Sequence, residues 1–354
     1  MRKIIGLIFI LSLTLNLNAQ TKLTTKDSIT VFYDSLLNTL KSDYLYKNDV
    51  NWTSLENETK SNLKQFPDFR SSLAQTTVLF DKIKATHCEV FYNDSTSYTA
   101  TFNGPTEKDF SEQWVKKYVT TPSFEVKVID NKYGYILMPG INFTDISAEN
   151  IQKLAQPMYD QIAEIKNNKK LAGWIIDLRF NTGGNCHPML LTLYDFLGDN
   201  MVYGSLDINK KLFLSVKMKN GKYFDNGELT SQIIPKGKKM TKTKVAIITG
   251  KATGSSGEIT AMSFKGRKNT IFIGEPTGGK TTTNDKRDLP FGIVMALTIG
   301  YDCDRNKIGY ERIIPDILIS KQDNFENLLE DKNIEEAMRW INKKLPCSRF
   351  SLGW

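Results

Sequence analysis

Histidine and cysteine are scarce in this chain, and their scarcity excludes several classes of protein. The 354 residues contain two histidines and four cysteines. Four cysteines are too few for a disulfide scaffold. They could form disulfides in three alternative pairings, or they could be free buried thiols. Zinc-finger spacing is missing and histidines are few, so the sequence implies no metal and no cofactor.

Signatures of nucleic-acid binding are missing as well. The formal net charge is +8, but the lysines are dispersed along the chain and form no basic block. The sequence contains no RNP-type motif and no basic helix, so no nucleic-acid partner is predicted. An apolar content of 40% and a charged content of 24% are typical of a soluble globular protein.

Long apolar runs are confined to the start of the chain. Two basic residues, Arg2-Lys3, precede the mostly apolar run Ile4–Leu15, and a small residue, Ala19, follows it. This pattern predicts a secretory signal peptide over residues 1–19, and the run is too short for a comfortable membrane span. We expect a periplasmic or secreted protein without stable membrane insertion after cleavage, and its oligomeric state stays open.

Apolar periodicity divides the mature chain into parts. Residues such as Leu36, Leu37 and Leu40 recur at helical spacing near the N-terminus, whereas strands and helices alternate after Lys132, as in an α/β domain. The predicted parts are a helical N-terminal domain (20–95), a β/loop connector (96–131), an α/β domain (132–345) and a C-terminal tail (346–354).

A serine lies where a strand turns into a helix. The β-branched run Val245–Ile248 is followed by a turn of small residues that contains Ser255, and a helical pattern begins at Ile259. Backbone N–H groups at a helix start stabilise negative charge, so a serine there can attack a carbonyl group. The alternative is structural, because Ser255-x-x-Glu258 has the spacing of a capping box.

Paired glycines follow another buried strand. The nearly continuous apolar run Leu171–Leu178 ends in Asn181-Thr182-Gly183-Gly184, before a further helix. Glycines at such a turn let backbone amides approach a ligand closely. If this turn faced Ser255, its amides would form half of an oxyanion hole.

Five ordered motifs together resemble peptidase family S41, which includes the tail-specific (C-terminal processing) proteases and the tricorn-core-like hydrolases. The resemblance covers roughly residues 132–320, and it implies an α/β fold with a crotonase-like spiral of ββα units. The motifs are Tyr133-Gly134-Tyr135-Ile136, Asp177-Leu178-Arg179-x-Asn181-x-Gly183-Gly184, Ser255-x-x-Glu258, Gly274-Glu275-Pro276-Thr277-x-Gly279-Lys280 and Pro315-Asp316.

The resemblance implies two alternative bases for Ser255. In the tail-specific branch a lysine in the Gly-Lys motif takes the serine proton, and here that residue is Lys280. In the tricorn-like branch a histidine after the helical segment does so, and here that residue is His87. Residues 88–130 are too few for a full PDZ domain, so the chain resembles a PDZ-less member, which favours His87.

The resemblance also implies the residues around the base and the reacting carbonyl. Glu311 is the candidate acid that orients the histidine, although the family's glutamate usually stands further before the Pro-Asp pair. Asp316 is the fallback. The amides of Gly183 or Gly184 and of Ser256 would hold the oxyanion.

Two further patterns have simpler interpretations. Gly274–Thr281 fits the phosphate-binding P-loop pattern, but the β-branched run Thr281-Thr282-Thr283 after it does not open a helix. Cys186-His187 could supply a thiol nucleophile or a metal ligand. Adjacent side chains seldom face one another productively, so a structural or substrate-lining role is expected there.

The sequence therefore predicts an exported serine peptidase that hydrolyses peptide or protein substrates. Two alternatives remain open. One is a non-catalytic module that binds small ligands on the same fold, and the other is an exported esterase that uses the same site.

Overall fold

The described part of the chain begins shortly after the predicted signal peptide. The computed structural model describes residues 24–93, 96–101 and 104–343. The predicted signal peptide (1–19) and C-terminal tail (346–354) lie outside these ranges. Within them, no helix is long and apolar enough to cross a membrane.

Helices dominate the first 60 described residues and then flank the sheets. They are α1 Thr25–Asp43, α2 Trp52–Leu63, α3 Phe69–Ser72, α4 Gln75–Lys82, α5 Glu112–Tyr118, α6 Ala148–Asn168, α7 Cys186–Thr192, α8 Tyr194–Leu197, α9 Ser256–Met262 and α10 Lys332–Asn342. Short 3-10 turns occur at Lys47–Asp49, Glu107–Asp109, Pro290–Gly292 and Leu328–Glu330.

Strands from all parts of the described chain form two sheets. They are β1 Glu89–Asn93, β2 Thr96–Thr99, β3 Glu125–Ile129, β4 Tyr133–Leu137, β5 Gly173–Asp177, β6 Asn200–Leu206, β7 Leu212–Lys219, β8 Lys222–Asp225, β9 Glu228–Gln232, β10 Val245–Thr249, β11 Thr270–Gly274, β12 Thr282–Asp288, β13 Val294–Asp304 and β14 Ile317–Leu318.

The first sheet has six strands in the order β14-β11-β10-β5-β4-β3, and all neighbours are parallel except the antiparallel edge strand β3. Every residue of β4, β5 and β10 is buried, as expected for parallel strands covered on both faces. The carboxyl ends of β5, β10 and β11 meet at one edge. The chain leaves them through the turns that contain Gly183-Gly184, Ser255 and Gly279-Lys280.

The second sheet is antiparallel, and it connects the helical region to the rest of the molecule. Its order is β2-β1-β13-β6-β7-β8-β9, and β12 also pairs with β13. Helices α1–α4 share one apolar core with β1 and β13, in which Phe32, Leu36, Phe80 and Met295 are fully buried. A short loop joins α4 to β1, and it carries His87.

The segment between β2 and β3 contains helix α5, which the sequence analysis did not predict. The indole ring of Trp114 in this helix stacks on Phe110 and Phe180. Its Nε1 donates a hydrogen bond to the carbonyl oxygen of Arg179 at 3.1 Å. A helix of seven residues has little stability of its own, so these tertiary contacts hold it in place.

The three cysteines within the described residues are free. Cys88, Cys186 and Cys303 are all buried thiols, which agrees with the second of the two alternatives for these positions. Cys347 lies outside the described residues. The fold around these three positions is therefore held by packing and not by disulfides.

Substitution of Gly134 tests the packing of the parallel sheet. A Cβ atom at Gly134 would lie 2.3 Å from the Trp174 indole ring, which is fully buried. We expect Gly134→Ala to lower the free energy of unfolding by about 1–3 kcal/mol, since overpacking displaces the ring. Gly309→Ala is the control, because its new methyl group meets ordinary contacts. Equal urea midpoints for the two variants would contradict this packing.

Candidate active site

Ser255 adopts a strained backbone conformation at the start of α9. Its φ and ψ angles are 51° and −120°, and its side chain is half-buried. A side chain with a Cβ atom rarely adopts a positive φ, and such strain clusters at functional sites. The sharp turn between β10 and α9 projects the hydroxyl away from the helix. The Glu258 amide donates to the Ser255 carbonyl oxygen at 2.8 Å.

The Glu258 carboxylate holds this turn in place. It is fully buried, and it accepts hydrogen bonds from the backbone amides of Ser255 (3.1 Å), Gly279 (2.8 Å) and Lys280 (2.6 Å). The Thr277 hydroxyl donates a further one. Burial raises the pKa of Glu258, and the four donors oppose that shift. Glu258 thus ties the serine turn to the Gly279-Lys280 loop.

His87 faces Ser255 from the other side of the site. Its Nε2 lies 3.1 Å from Ser255 Oγ, although the two residues are 168 positions apart. Helix α4 ends at Lys82. Two residues further on, Lys84 has a positive φ of 56°, and the Ala85 amide closes the end by donating to the Phe80 carbonyl at 2.8 Å. This sharp stop turns the chain so that the histidine points towards the sheet edge.

Strand β12 supplies two contacts to His87 that the sequence analysis missed. The Thr282 Oγ1 lies 2.7 Å from Nδ1 of the ring, and the Asn284 side-chain amide donates to the His87 carbonyl oxygen at 2.6 Å. The sequence signal for this strand is the polar, β-branched run that starts at Thr281, which also argues against a P-loop. Because both contacts depend on strand pairing, the motif spacing alone does not reveal them.

The environment of His87 favours its neutral form. Burial lowers its pKa from 6.5 to about 4, and the charge of Lys280 acts in the same direction. A hydrogen bond with Thr282 opposes both effects. The imidazole is therefore unprotonated at neutral pH, as a proton acceptor must be.

Lys280 lies close to the site, but its ammonium group does not reach the serine. Within the described ranges, no hydrogen bond joins Lys280 Nζ to Ser255. The side chain is exposed, and its charge contributes to the lowered pKa of His87. A general base must lie within hydrogen-bond reach of the proton that it takes, so this geometry does not favour Lys280 as the base.

Neither candidate acid is hydrogen-bonded to His87 among the described residues. Burial raises the pKa of Tyr46 to about 12 and the Glu311 carboxylate contributes in the same direction, which places that carboxylate near Tyr46. Asp316 Oδ2 accepts a hydrogen bond from the Phe272 amide at 2.9 Å. The group that the structure brings to Nδ1 of His87 is the Thr282 hydroxyl, and neither carboxylate is there.

The Gly183-Gly184 turn packs directly against the serine. Gly183 has a φ of 123°, and a Cβ atom there would lie 3.0 Å from Ser255 Cβ. Its amide donates to Asn181 Oδ1 at 3.2 Å, while the Gly184 carbonyl accepts from the Ser256 hydroxyl at 2.7 Å. The amides of Gly184 and Ser256 have no hydrogen-bond acceptor in the described part of the chain, so both remain available to a ligand.

A buried ion-pair network braces the strand end before this turn. The Arg179 guanidinium bonds to Asp177 Oδ2 at 2.6 Å, Asp323 Oδ1 at 2.6 Å and Asp331 Oδ2 at 2.8 Å. Asp177 and Asp331 are fully buried. The network joins β5 to the start of α10, and it fixes the strand end from which the glycine turn departs.

Cys186 and His187 form contacts of their own beside the glycine turn. The Cys186 thiol lies 3.6 Å from the Tyr203 hydroxyl, and His187 Nε2 lies 3.7 Å from Asp225 Oδ2. Across the described residues, no cluster of three or more histidine, cysteine or acidic side chains could hold a metal ion. These contacts hold the two side chains away from Ser255.

A strained serine at a helix start, with an imidazole beside its hydroxyl, is the arrangement that serine hydrolases use. The sequence profile described as peptidase family S41 matches residues 132–319. The chain belongs to peptidase family S41.

Individual relatives agree with this family. A nisin-resistance protein from Lactococcus lactis subsp. lactis is 30% identical over 213 residues, which are 60% of this chain and 63% of that protein. The match thus spans less than two thirds of the relative.

Solved structures share the fold across most of the chain. A lipoprotein from Streptococcus agalactiae has a TM-score of 0.63 at 23% identity, over 89% of this chain and 96% of its own. A candidate peptidase from Parabacteroides merdae has a TM-score of 0.59 at 16% identity, over 89% and 97%. The predicted α/β class with a helical N-terminal region is confirmed.

Substitution of Glu258 tests its role as the centre of the site. In Glu258→Gln an amide N–H₂ replaces one oxygen and faces backbone donors, so at least one donor loses its partner. We expect the free energy of unfolding to fall by about 1–3 kcal/mol, measured by urea denaturation. Glu228→Gln, on an exposed strand, is the matched control. If both variants were as stable as the parent chain, the carboxylate would not hold the turn.

Proposed function

We propose that the chain is an exported peptidase in which Ser255 is the nucleophile and His87 is its general base. The observation that carries this proposal is the distance of 3.1 Å between His87 Nε2 and Ser255 Oγ, which is within reach for proton transfer. The predicted signal peptide supports export, as do the relatives described as a lipoprotein and a nisin-resistance protein.

The proposed reaction has two proton transfers in its first half. Ser255 Oγ attacks the carbonyl carbon of the scissile peptide bond while its proton moves to His87 Nε2. The C–N bond then breaks, and the same proton passes to the leaving amine. Water releases the acyl group from the serine by the reverse route, with His87 again as base.

The oxyanion of the tetrahedral intermediate is assigned to the amides of Gly184 and Ser256. Both are free of acceptors in the described structure, and Ser256 is the first residue of α9, where N–H groups point outward. The Gly183 amide is the less suitable of the two glycine donors, because it already donates to Asn181.

Lys280 is assigned an electrostatic role in this scheme. Its side chain is exposed, and its charge opposes protonation of His87. It would therefore help to keep the base in its neutral form without taking the serine proton itself. The Glu311 carboxylate is given no part in the proton transfers, because no hydrogen bond joins it to His87 in the described part of the chain.

Labelling with a fluorophosphonate probe separates a hydrolase from a ligand-binding module. We expect the chain to be labelled at Ser255 and Ser255→Ala to remain unlabelled. Digestion of a peptide library, alongside small esters, separates a peptidase from an esterase. The panel includes nisin because of the relative's name. A labelled protein that cleaves esters but no peptide would contradict the proposed activity.

The identity of the base is tested by a pair of substitutions. We expect His87→Ala to slow labelling by about 10²–10⁴-fold, since it removes the proton acceptor. Lys280→Ala should label within about threefold of the parent rate, because its ammonium group only tunes the histidine. The reverse order of rates would assign the base to Lys280.

The acid limb of activity reports the pKa of His87. A base acts in its neutral form, so a pKa lowered to about 4 keeps activity through mildly acidic pH and loses it as pH falls through about 4. Lys280→Met should move this limb to higher pH. The measurement is the labelling rate against pH, with circular dichroism to check folding. A limb near the ordinary value of 6.5 would contradict the described environment.

A further inference from the structure

We propose that Thr282 is the positioning residue of the catalytic histidine, in the place where a triad has a carboxylate. This inference rests on the proposed roles of Ser255 and His87. The Thr282 hydroxyl would accept a hydrogen bond from Nδ1–H of His87 and leave the Nε2 lone pair free for the serine proton. Neither the motifs nor the family profile assigns Thr282 a role, and residue 282 lies two positions beyond the last residue of its motif.

The first argument is the geometry of the ring. Thr282 Oγ1 lies 2.7 Å from Nδ1, and Ser255 Oγ lies 3.1 Å from Nε2. A neutral imidazole carries one N–H and one acceptor nitrogen. With the proton on Nδ1, the ring donates to Thr282 and accepts from Ser255, which is the arrangement that removes the serine proton.

The second argument is a backbone anchor from the same strand. The Asn284 side-chain amide donates to the His87 carbonyl oxygen at 2.6 Å. Its own Oδ1 accepts from the Thr298 hydroxyl at 2.8 Å, which fixes the orientation of the amide. One strand therefore holds both the ring and the main chain of His87, and ladder pairing with β13 from Thr282↔Tyr301 onward holds that strand.

The third argument concerns the acids nearest to this strand. Asp302 on β13 is fully buried, but its Oδ1 accepts from the Thr283 hydroxyl at 2.6 Å, one residue away from Thr282. The charge of the Glu311 carboxylate contributes to the raised pKa of Tyr46. The positive charge that acts on His87 is that of Lys280. The imidazolium formed during the reaction thus has a neutral hydroxyl as its Nδ1 partner, so orientation is the main contribution of this contact.

The tautomer of His87 provides a direct test. The chain has two histidines, so nitrogen-15 imidazole resonances can be assigned with the His187→Gln variant. We expect the Nδ1–H tautomer in the parent chain. In Thr282→Val, which keeps the shape and removes the hydroxyl, we expect the Nε2–H tautomer to become populated.

The rate of fluorophosphonate labelling provides the second readout. We expect Thr282→Val to lower the maximal labelling rate at least tenfold with little change in the half-saturating probe concentration, and Thr282→Ser to restore most of it. Thr282→Asp should move the acid limb to higher pH, since a carboxylate stabilises the imidazolium. Thr283→Val is the matched control, because its hydroxyl bonds to Asp302 and not to His87.

Two results would overturn the role of Thr282. One is a maximal labelling rate for Thr282→Val within twofold of the parent rate, and the other is an Nε2–H tautomer in the parent chain. Neither result would contradict the proposed nucleophile and base, provided that Ser255→Ala still abolishes labelling and His87→Ala still slows it. Should Thr282→Val fail to fold, the parent tautomer and the Thr282→Ser and Thr282→Asp profiles decide the question.

Discussion

One buried carboxylate, that of Glu258, holds the parts of this site together through hydrogen bonds. Among the described residues, no basic side chain forms an ion pair with Glu258, and four hydrogen-bond donors take the place of a counter-charge. Two of these donors are the amides of Gly279 and Lys280, directly before β12, and another is the amide of Ser255. The strand that contacts His87 and the turn that carries Ser255 are therefore fixed by the same side chain. A fully satisfied buried polar group of this kind specifies a unique local structure.

The proposed nucleophile and the proposed base lie on different parts of the molecule. Ser255 follows a strand of the parallel sheet, whereas His87 lies between α4 and β1, beside the core that the helical region shares with β13. Their distance therefore depends on how the helical region packs on the antiparallel sheet. The polar site lies where these two apolar cores meet, so its geometry is set by packing far from the reacting atoms.

The sequence revealed much of the site, but not its supporting contacts. A strand, a small turn and a helix start identified Ser255, and paired glycines after an apolar strand identified Gly183-Gly184, because both signals are local. Thr282 was missed because its partner is set by the register of β12 on β13, and helix α5 was missed because ring stacking on Trp114 sustains it. The ββα spiral and the domain boundaries stay predictions.

The backbone angles of Ser255 lower the stability of this turn while they expose its hydroxyl group for chemistry. A positive φ at a residue with a side chain costs on the order of 1–3 kcal/mol, which the surrounding hydrogen bonds must offset. Glycine adopts such angles freely, so the most relaxed sequence for this turn has no nucleophile. Selection for stability alone would therefore favour replacement of the serine. The presence of its hydroxyl group reflects a requirement that folding does not impose.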